Sequence, residues 1–330
     1  PLRPPAAARL SAPGWRRAVR GEWDHGAMKT AYDVVVIGGT GVDTTAYVPA
    51  LPLPYADTYA VPPMIDRIGN TGSGVALGCH TLGLRVKLVD LIGEDPQGRF
   101  IRAHMEARGV EFAWAPAPQG TRRSVLLVGP DGRRLSLFDP RDAPGERLPR
   151  ELYLAAVREA RHVHVSLTGF SRHVYPDLEG GSVSTDLHDW DGENDFHKDY
   201  AYSSDLVFLS STALGSRREA VMRDILTGGR ARTVICTAGA EGCHVLDAGG
   251  FRHFPAAPLP GPVVDSNGAG DAFVSGVLYG LLSGRSLDDA VSLGAVAGAH
   301  ACTSAGTHEN PIDEPTLLGR GEGLLRSSPA

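Results

Sequence analysis

The stretch VVDSNGAGDAF, residues 263–273, decides how the rest of the sequence is interpreted. Two glycines, Gly268 and Gly270, flank a small residue, and Asp271 follows directly. Behind them, apolar residues recur over 273–282 at the spacing of a buried helix. The stretch therefore predicts a short glycine loop at the start of a buried helix, with a carboxylate in the first turn.

Such a loop suits a phosphate group. A helix N-terminus offers unpaired N–H groups and a partial positive charge, and glycines let an anion approach them closely. Asp271 would repel a bound anion there, but it can accept a proton from a hydroxyl that attacks phosphorus. The pairing predicts phosphoryl transfer to an alcohol. The loop alone leaves one alternative open, a tight strand-to-helix turn with an acid in its first turn.

The composition excludes several classes of protein. Of 330 residues, 42% are hydrophobic and 21% are charged, as in ordinary globular proteins. The net charge of −6 argues against a nucleic-acid partner. No apolar run approaches the ~20 residues of a membrane span, so we expect no membrane partner. The four cysteines lack C-x-x-C spacing, which indicates reduced thiols and a cytoplasmic protein.

The two ends of the chain differ from its middle. Residues 1–31 are rich in arginine, proline and alanine without a helix or strand period, so we interpret them as a disordered extension. A transit peptide is the alternative, since the segment is rich in arginine and poor in acids. The Gly- and Ser-rich residues 320–330 are predicted to be a flexible tail. The folded domain is expected over 32–319.

Between these ends, strand and helix patterns alternate. Apolar runs predict strands at 33–39, 84–93, 110–115, 162–167, 183–187, 206–211 and 233–239. Helical patterns fall at 69–82, 96–108, 149–160 and 213–227. This alternation predicts an α/β fold with a mostly parallel central sheet and helices on both faces.

Two segments interrupt the alternation. Residues 44–68 are extended and rich in proline, and residues 121–139 contain a hairpin that turns at Pro130, Asp131 and Gly132. Together they predict a small separate β-sheet, which we call the lid. The acid-rich run 186–200 is interpreted as a solvated loop, because its acids and histidines have no fixed ligand spacing.

Three quoted motifs resemble one family. DSNGAGDAF (265–273) resembles the C-terminal signature D-T-x-G-A-G-D-x-F of the ribokinase, or PfkB, family of sugar and nucleoside kinases. GNTGSGVALGCHTLG with GEDPQGRFI (69–101) resembles its N-terminal signature, and TAGAEG (237–242) its nucleotide loop. The resemblance spans about 32–310 in the family's order. It implies a three-layer α/β/α ribokinase-like sandwich with a β lid, and a carbohydrate kinase that uses ATP and Mg²⁺.

The resemblance also implies roles at the C-terminal signature. Asp271 would be the general base, and the amides of Asn267, Gly268, Ala269 and Gly270 would form the anion hole.

For the nucleotide, Thr237, Gly239 and Gly242 would lie along ATP. Asp265 would lie near the phosphates and a monovalent-cation site, such as one for K⁺. A turn residue at the end of a strand is the alternative interpretation of Asp265.

The acceptor side is implied in the same way. Asp43 would bind sugar hydroxyls, and a loop-capping aspartate is the alternative interpretation of this residue. Gly69 and Gly72, with Asn70 between them, would let the substrate approach the backbone. Arg122, at the start of the lid hairpin, is a candidate for contact with an anionic group of the substrate. A solvated strand end is the alternative for Arg122.

Some family positions are not kept. The asparagine of the N-terminal signature falls on Gly74, the Mg²⁺-organising N-x-x-E is replaced by SSTALG (210–215), and D-x-N-x-R by DLHDW (186–190). The metal ligands and the acceptor therefore stay unassigned.

These departures leave three alternatives open: a weakened or silent sugar- or nucleotide-binding relative, a nucleoside kinase, and a nicotinamide enzyme suggested by GGTG (38–41). The resemblance also allows a homodimer formed through the lid.

Overall fold

The computed structural model describes residues 30–325, in which strands and helices alternate. The strands are β1 (Tyr32–Ile37), β2 (Gly41–Tyr47), β3 (Ile65–Gly69), β4 (Val86–Ile92), β5 (Glu111–Pro116), β6 (Arg123–Val128), β7 (Arg134–Asp139), β8 (Ala160–Val165), β9 (Val183–Asp186), β10 (Leu206–Ser210), β11 (Thr233–Thr237), β12 (Cys243–Asp247) and β13 (Gly250–Phe254). The helices are α1 (Thr71–Thr81), α2 (Pro96–Arg108), α3 (Arg150–Arg158), α4 (Asp195–Ser203), α5 (Arg218–Gly228), α6 (Ala269–Leu282), α7 (Leu287–Ala301) and α8 (Glu314–Leu325).

The main sheet has the strand order β13-β12-β11-β10-β9-β8-β1-β4-β5. Its strands pair in parallel from β5 to β11, and β12 and β13 add an antiparallel hairpin at one edge. The carboxyl ends of parallel strands meet at one edge of a sheet, which is where α/β proteins bind ligands. The fold therefore brings the loops after β1, β9 and β11 to a common side.

Both faces of the main sheet are buried. Along β1, Val34 and Val36 belong to the core under α1, α6 and α7, whereas Val35 and Ile37 belong to the core under α3, α4 and α5. This alternation follows from the two-residue period of a strand, and it explains why β1 is apolar at successive positions. The predicted three-layer α/β/α fold is confirmed.

The lid is a separate sheet with the strand order β3-β2-β6-β7. On β6, Ser124, Leu126 and Val128 are buried, and the residues between them are more exposed, as in a sheet with one covered face. The prediction of a small second sheet is confirmed, but β2 begins at Gly41 rather than after residue 43. No strand occurs between Val48 and Met64 within the predicted lid segment.

The C-terminal segment differs from its prediction. Residues expected to fray from position 320 continue α8, which runs from Glu314 to Leu325. Gly321 is buried, and a Cβ there would lie 2.7 Å from Leu293 Cδ2 on α7. Packing against the domain therefore outweighs the weak helix propensity of glycine over 320–325.

The acid-rich run is also more ordered than a solvated loop. Trp190 is buried and stacks on His197, and the second part of the run forms the start of α4 at Asp195. The predicted N-terminal extension lies almost entirely in residues 1–29, outside the described range, as do residues 326–330. Within 30–325, no helix combines the length and apolar character needed to cross a membrane.

Candidate active site

The N-terminus of α6 is an uncapped helix end built from glycine. Gly268 has a φ of 74° at the N-cap position, and no side chain caps the helix. A Cβ at Gly268 would lie 2.0 Å from the carbonyl oxygen of Thr307, so only glycine fits. At Gly270 an added Cβ would meet no atom within 4 Å. An anion can therefore approach the positive end of the helix from the side of Gly270.

Asp271 lies in the first turn of this helix and is buried. Burial raises its pKa well above the usual range of an aspartate, and the nearby charges of Asp186 and Asp43 raise it further, whereas Arg134 lowers it. A carboxylate that binds a proton more tightly than usual is a stronger base. This property suits a group that must take a proton from an alcohol.

The loop before α6 is fixed from two directions. The backbone N–H of Asn267 donates to Asp265 Oδ1 at 2.9 Å, so Asp265 forms the turn that leads into the loop. The side-chain oxygen of the buried Asn267 accepts a hydrogen bond from Arg134 on the lid strand β7. Asn267 thus connects the predicted anion hole to the lid.

The sequence predictions missed Arg134, although a signal for it exists. Ser124 pairs with Asp43 on one side and with Phe138 on the other, and Arg134 lies four residues from Phe138 on the same strand. Side chains an even number of residues apart share one face of a strand. Counting from the hairpin turn would therefore have placed Arg134 on the lid face that carries Asp43.

Asp43 lies on β2 of the lid and is buried. Burial raises its pKa, although a hydrogen bond with Ser124 lowers it. Its Oδ1 has no hydrogen-bond partner in the described structure. A buried carboxylate oxygen without a partner is unfavourable, so this atom is suited to accept a hydrogen bond from a ligand hydroxyl.

Asn70, at the start of α1, has a positive φ of 67°, and its side-chain nitrogen would lie 2.0 Å from a Cβ added at Gly41 of β2. Its side-chain nitrogen is buried and has no partner among the described residues. A donor at Asn70 and an acceptor at Asp43 therefore both lack partners at the same end of α1.

The role expected for Gly69 and Gly72 is corrected. A Cβ at Gly69 would lie 2.1 Å from Asp43 Cγ, and a Cβ at Gly72 would lie 1.9 Å from the carbonyl oxygen of Gly38. Protein atoms already occupy the space that these glycines leave. Their lack of a side chain lets the lid and β1 approach α1, so close packing accounts for glycine at both positions.

The expectation that Arg122 contacts an anionic substrate is also corrected. Its side chain is 5% exposed and its Nη1 lies 3.1 Å from Asp90 Oδ1, which is fully buried. Its Nε lies 3.7 Å from Asp142 Oδ1, and its Nη1 also donates to the Thr40 carbonyl. The guanidinium is therefore neutralised inside the protein, and Arg122 holds the lid to the main sheet.

The predicted nucleotide loop follows β11. An added Cβ at Gly239 would meet nothing within 4 Å, so this side of the loop is open. At Gly242 a Cβ would lie 2.0 Å from the carbonyl oxygen of Phe254, so this glycine is required by the contact with β13. The Thr237 hydroxyl donates to the Leu209 carbonyl at 3.4 Å. Of the three residues, Gly239 is the one that faces open space.

His308, in the loop after α7, was not singled out from the sequence. Its Nε2 lies 3.2 Å from the Asn70 carbonyl oxygen and 3.7 Å from Asp271 Oδ2. Burial lowers its pKa to about 4, so the ring is neutral at pH 7 and its contact with Asp271 is not an ion pair. No local pattern marks this residue, because only the fold brings the loop to the N-termini of α1 and α6.

Among residues 30–325, no group of three or more His, Cys, Asp or Glu side chains forms a metal cage. Asp186, at the end of β9, is close enough to raise the pKa of Asp271. Mg²⁺ in phosphoryl-transfer sites is bound mainly by phosphate oxygens and water, with only one or two carboxylates. The site is compatible with that kind of binding.

Comparison with known proteins agrees with this geometry. The model of the pfkB family carbohydrate kinases matches residues 203–314. The chain is 51% identical over 291 residues to acarbose 7(IV)-phosphotransferase of Actinoplanes sp., covering 87% of this chain and 97% of that protein. It is 24% identical over 315 residues to 5-dehydro-2-deoxygluconokinase of Shouchella clausii, covering 87% and 93%.

Solved structures show the same relationship. A microbiome-derived acarbose kinase superimposes with a TM-score of 0.84 at 42% identity, covering 89% of this chain and all of that one. Ribokinase from Thermotoga maritima superimposes with a TM-score of 0.74 at 17% identity, covering 88% and 99%, which supports the fold alone. With the uncapped glycine loop and buried carboxylate in the order of the family signatures, the chain belongs to the pfkB family of carbohydrate kinases.

Proposed function

We propose that Asp271 of this carbohydrate kinase deprotonates the acceptor hydroxyl while the N-terminus of α6 receives the transferring phosphoryl group. One observation carries the proposal: a buried carboxylate of raised pKa lies in the first turn of a helix whose uncapped end is open at Gly270. The carboxylate can form the nucleophile, and the helix end stabilises the negative charge on phosphorus.

The acceptor is positioned from the lid side. The unpaired Asp43 Oδ1 accepts a hydrogen bond from one sugar hydroxyl, and the unpaired Asn70 Nδ2 donates to another oxygen. Satisfying two buried polar atoms at once favours a polyol over a ligand with a single hydroxyl. This pairing orients the reacting hydroxyl toward Asp271.

Charge on the transferring group is stabilised by backbone amides and by one arginine. Of the four amides expected in the anion hole, that of Asn267 already donates to Asp265 and that of Ala269 to the Ser266 carbonyl. We therefore assign contact with the phosphoryl group to the amides of Gly268 and Gly270 at the start of α6, where the helix dipole adds positive charge. Arg134 already bonds Asn267 from the lid, so closure of the lid brings a guanidinium next to this loop. The lid also excludes water, which limits hydrolysis of ATP.

The nucleotide is placed along the open side of Gly239, with Thr237 and Gly242 shaping the loop. Mg²⁺ would neutralise charge on the β- and γ-phosphates, with Asp186 as the nearby carboxylate. We assign a monovalent cation such as K⁺ to the turn at Asp265. Dependence of the ATP turnover rate on K⁺, compared with Na⁺ at equal ionic strength, tests that assignment.

We propose acarbose or a related oligosaccharide as the acceptor. Two relatives at 51% and 42% identity carry acarbose in their names. On the lid, Phe138 is 52% exposed and lies in one row with Ser124 and Asp43. An exposed aromatic ring two strands away from a carboxylate on the same face of the lid suits an oligosaccharide, in which one sugar packs its C–H face on the ring while the hydroxyls of another bond to the acid.

The test is a panel of acceptors with ATP and Mg²⁺, read as ADP release and as product mass. Acarbose, ribose, fructose and nucleosides are compared for kcat/KM, with Asp271→Asn as the negative control. We expect the highest kcat/KM with acarbose and a product heavier by one phosphoryl group. A preference for a nucleoside would replace the acceptor assignment, and equal turnover by Asp271→Asn would contradict the assignment of the base.

We also propose a homodimer formed through the outer face of the lid. Val125, Leu135 and Leu137 are exposed on the face opposite to Asp43. An apolar strip on a sheet that has water on that side favours association with another surface. Sedimentation of wild-type protein should show a dimer, and Leu137→Glu should shift it to the monomer without changing kcat.

We place the enzyme in the cytoplasm, where ATP is abundant and thiols stay reduced. All four cysteines are free in the described structure, and three of them are buried. Cell fractionation with antibody detection tests this location.

A further inference from the structure

The imidazole of His308 fills a space that two glycines leave open. A Cβ at Gly74 on α1 would lie 2.3 Å from His308 Cε1, and a Cβ at Gly268 would lie 3.1 Å from His308 Nδ1. The same Cβ at Gly74 would lie 2.8 Å from Asp271 Oδ2. The ring is therefore packed directly between the N-termini of α1 and α6, on one side of the Asp271 carboxylate.

The contacts of this ring are specific. With a proton on Nε2, His308 donates to the Asn70 carbonyl at 3.2 Å and lies 3.7 Å from Asp271 Oδ2. The His308 side chain is 4% exposed and that of Asp271 is 10% exposed, so water does not separate them as it would at a surface. The Nε2 proton is used by the Asn70 carbonyl, so the ring contacts Asp271 by packing, and a ring held this close to one carboxylate oxygen limits how the carboxylate can rotate.

The loop that carries His308 is itself fixed by its neighbour. Glu309 Oε1 lies 3.4 Å from Arg67 Nε on β3, and the Glu309 carbonyl accepts a 2.9 Å hydrogen bond from Arg108 of α2. The loop is thus tied both to the lid and to the main domain. His308 therefore has little freedom to move away from Asp271. A residue that orients another side chain needs to be held in place in this way.

We propose that His308 is a positioning residue for Asp271, which it restrains at Oδ2 so that the other oxygen, Oδ1, faces the acceptor hydroxyl. The inference rests on the proposed role of Asp271 as the base. It assigns to the loop 303–310 a part in the chemistry of the kinase, in addition to its contact with the lid. Gly74 and Gly268 are required because the ring occupies the space of their side chains.

The test compares His308→Gln with His308→Leu. Both side chains fill most of the space of the ring, but only glutamine can donate to the Asn70 carbonyl and so keep the anchor that holds the side chain beside Asp271. We expect His308→Leu to lower kcat about 10- to 100-fold, the range seen when outer-shell partners of metal ligands are removed. His308→Gln should retain more of kcat, and the KM for ATP should stay within about twofold in both, because the nucleotide lies elsewhere.

Thermal unfolding of both variants shows whether a loss of kcat comes from a displaced Asp271, which leaves Tm unchanged, or from a destabilised fold, which lowers Tm. The inference is overturned if kcat is equal in the two variants, or if both stay within twofold of wild type. Should His308→Leu fail to fold, His308→Asn takes its place. Its amide is too short to reach the Asn70 carbonyl, so its kcat should fall below that of His308→Gln, and equal kcat values overturn the inference.

Failure of the proposed function gives a different result. In that case wild-type protein shows no acceptor-dependent ADP release, or Asp271→Asn is as active as wild type. An active wild type, an inactive Asp271→Asn and unaffected variants at position 308 would contradict the role of His308 alone. Gly319→Ala is the control for a substitution far from the site, because an added Cβ at this position in α8 meets nothing within 4 Å. Its kcat should equal that of wild type.

Discussion

The N-termini of α1 and α6 are both rich in glycine, yet the structure uses them differently. At α1, the space beside Gly69, Gly72 and Gly74 is taken by other parts of the protein: Asp43, the Gly38 carbonyl and His308. At α6, Gly268 is packed against Thr307 and His308, but the space beside Gly270 is empty. One helix end is a packing junction, and the other stays open at Gly270, where we propose that an anion binds.

The difference lies in what surrounds each loop and not in the number of glycines. α1 begins where the lid and β1 meet, so backbones must approach one another closely there. The first turn of α6 leaves Gly270 open and carries an acid, which the first turn of α1 lacks. Glycine alone therefore does not identify a phosphate site, and an open approach together with a base does.

The largest effect is expected at Asp271. Asp271→Asn keeps the shape of the side chain but cannot accept the proton, so we expect kcat to fall by about 10³-fold or more. The Kd for ATP, measured by calorimetry, should change little because the helix end is intact. A kcat near that of wild type would show that Asp271 is not the base, and the two helix ends would then no longer differ in catalytic function.

Two arginines extend the comparison to the lid. Arg122→Gln leaves the buried Asp90 without its partner, so we expect a loss of about 3–5 kcal/mol in the free energy of unfolding. Arg134→Gln, near α6, should leave stability almost unchanged and lower kcat/KM. Urea unfolding and steady-state kinetics of both variants measure these effects. A stable Arg122→Gln, or an Arg134→Gln that loses stability and keeps its kcat/KM, would contradict the roles given to the two arginines.

The matched glycine pair is the direct test. Gly72→Ala places a methyl group 1.9 Å from the Gly38 carbonyl, which should destabilise the fold by about 1–3 kcal/mol. Gly270→Ala meets no atom, so stability should hold or rise by up to about 1 kcal/mol. Its kcat should fall, since the methyl group narrows the approach to the helix end. If both variants lost the same stability, the two helix ends would not differ.

The smallest effect concerns pH. Because burial raises the pKa of Asp271, the folded state favours its protonated form. Its contribution to stability is complete below the usual aspartate pKa of about 3.9 and is lost as pH rises through the raised pKa. The Tm of Asp271→Asn should therefore match that of wild type near pH 4 and exceed it at pH 8.

Asp95 provides a control of opposite sign for this pH effect. Hydrogen bonds from Thr121 and Gly98 lower its pKa despite partial burial. Its contribution is present above the usual aspartate pKa and is lost as pH falls through the lowered one. Asp95→Asn should therefore lower Tm more at pH 8 than at low pH. If the Tm difference between Asp271→Asn and wild type did not vary with pH, the raised pKa of the buried Asp271 would be contradicted.

Much of the fold could be predicted from the sequence because it depends on local periodicity. The apolar run of β1 and the helical spacing after Gly268 both indicated their elements, and the hairpin at Asp131 indicated the lid. The flexible tail was wrong for residues 320–325, which continue α8 and in which Gly321 packs against Leu293, a contact that composition does not reveal. The solvated strand end considered for Arg122 was wrong for the same reason, since burial with Asp90 depends on contacts distant in sequence.

The sequence by itself determined the α/β architecture, the glycine loop with Asp271 and membership in a kinase family, because these follow from short-range patterns. Only the tertiary structure decided that Gly69 and Gly72 serve packing, that Arg122 is internal, and that Arg134 and His308 reach the site. Those assignments depend on which distant segments meet, and a pattern along the chain does not contain that information. The carboxylate of Asp271 was visible in the sequence, and its raised pKa came from the burial that the fold imposes.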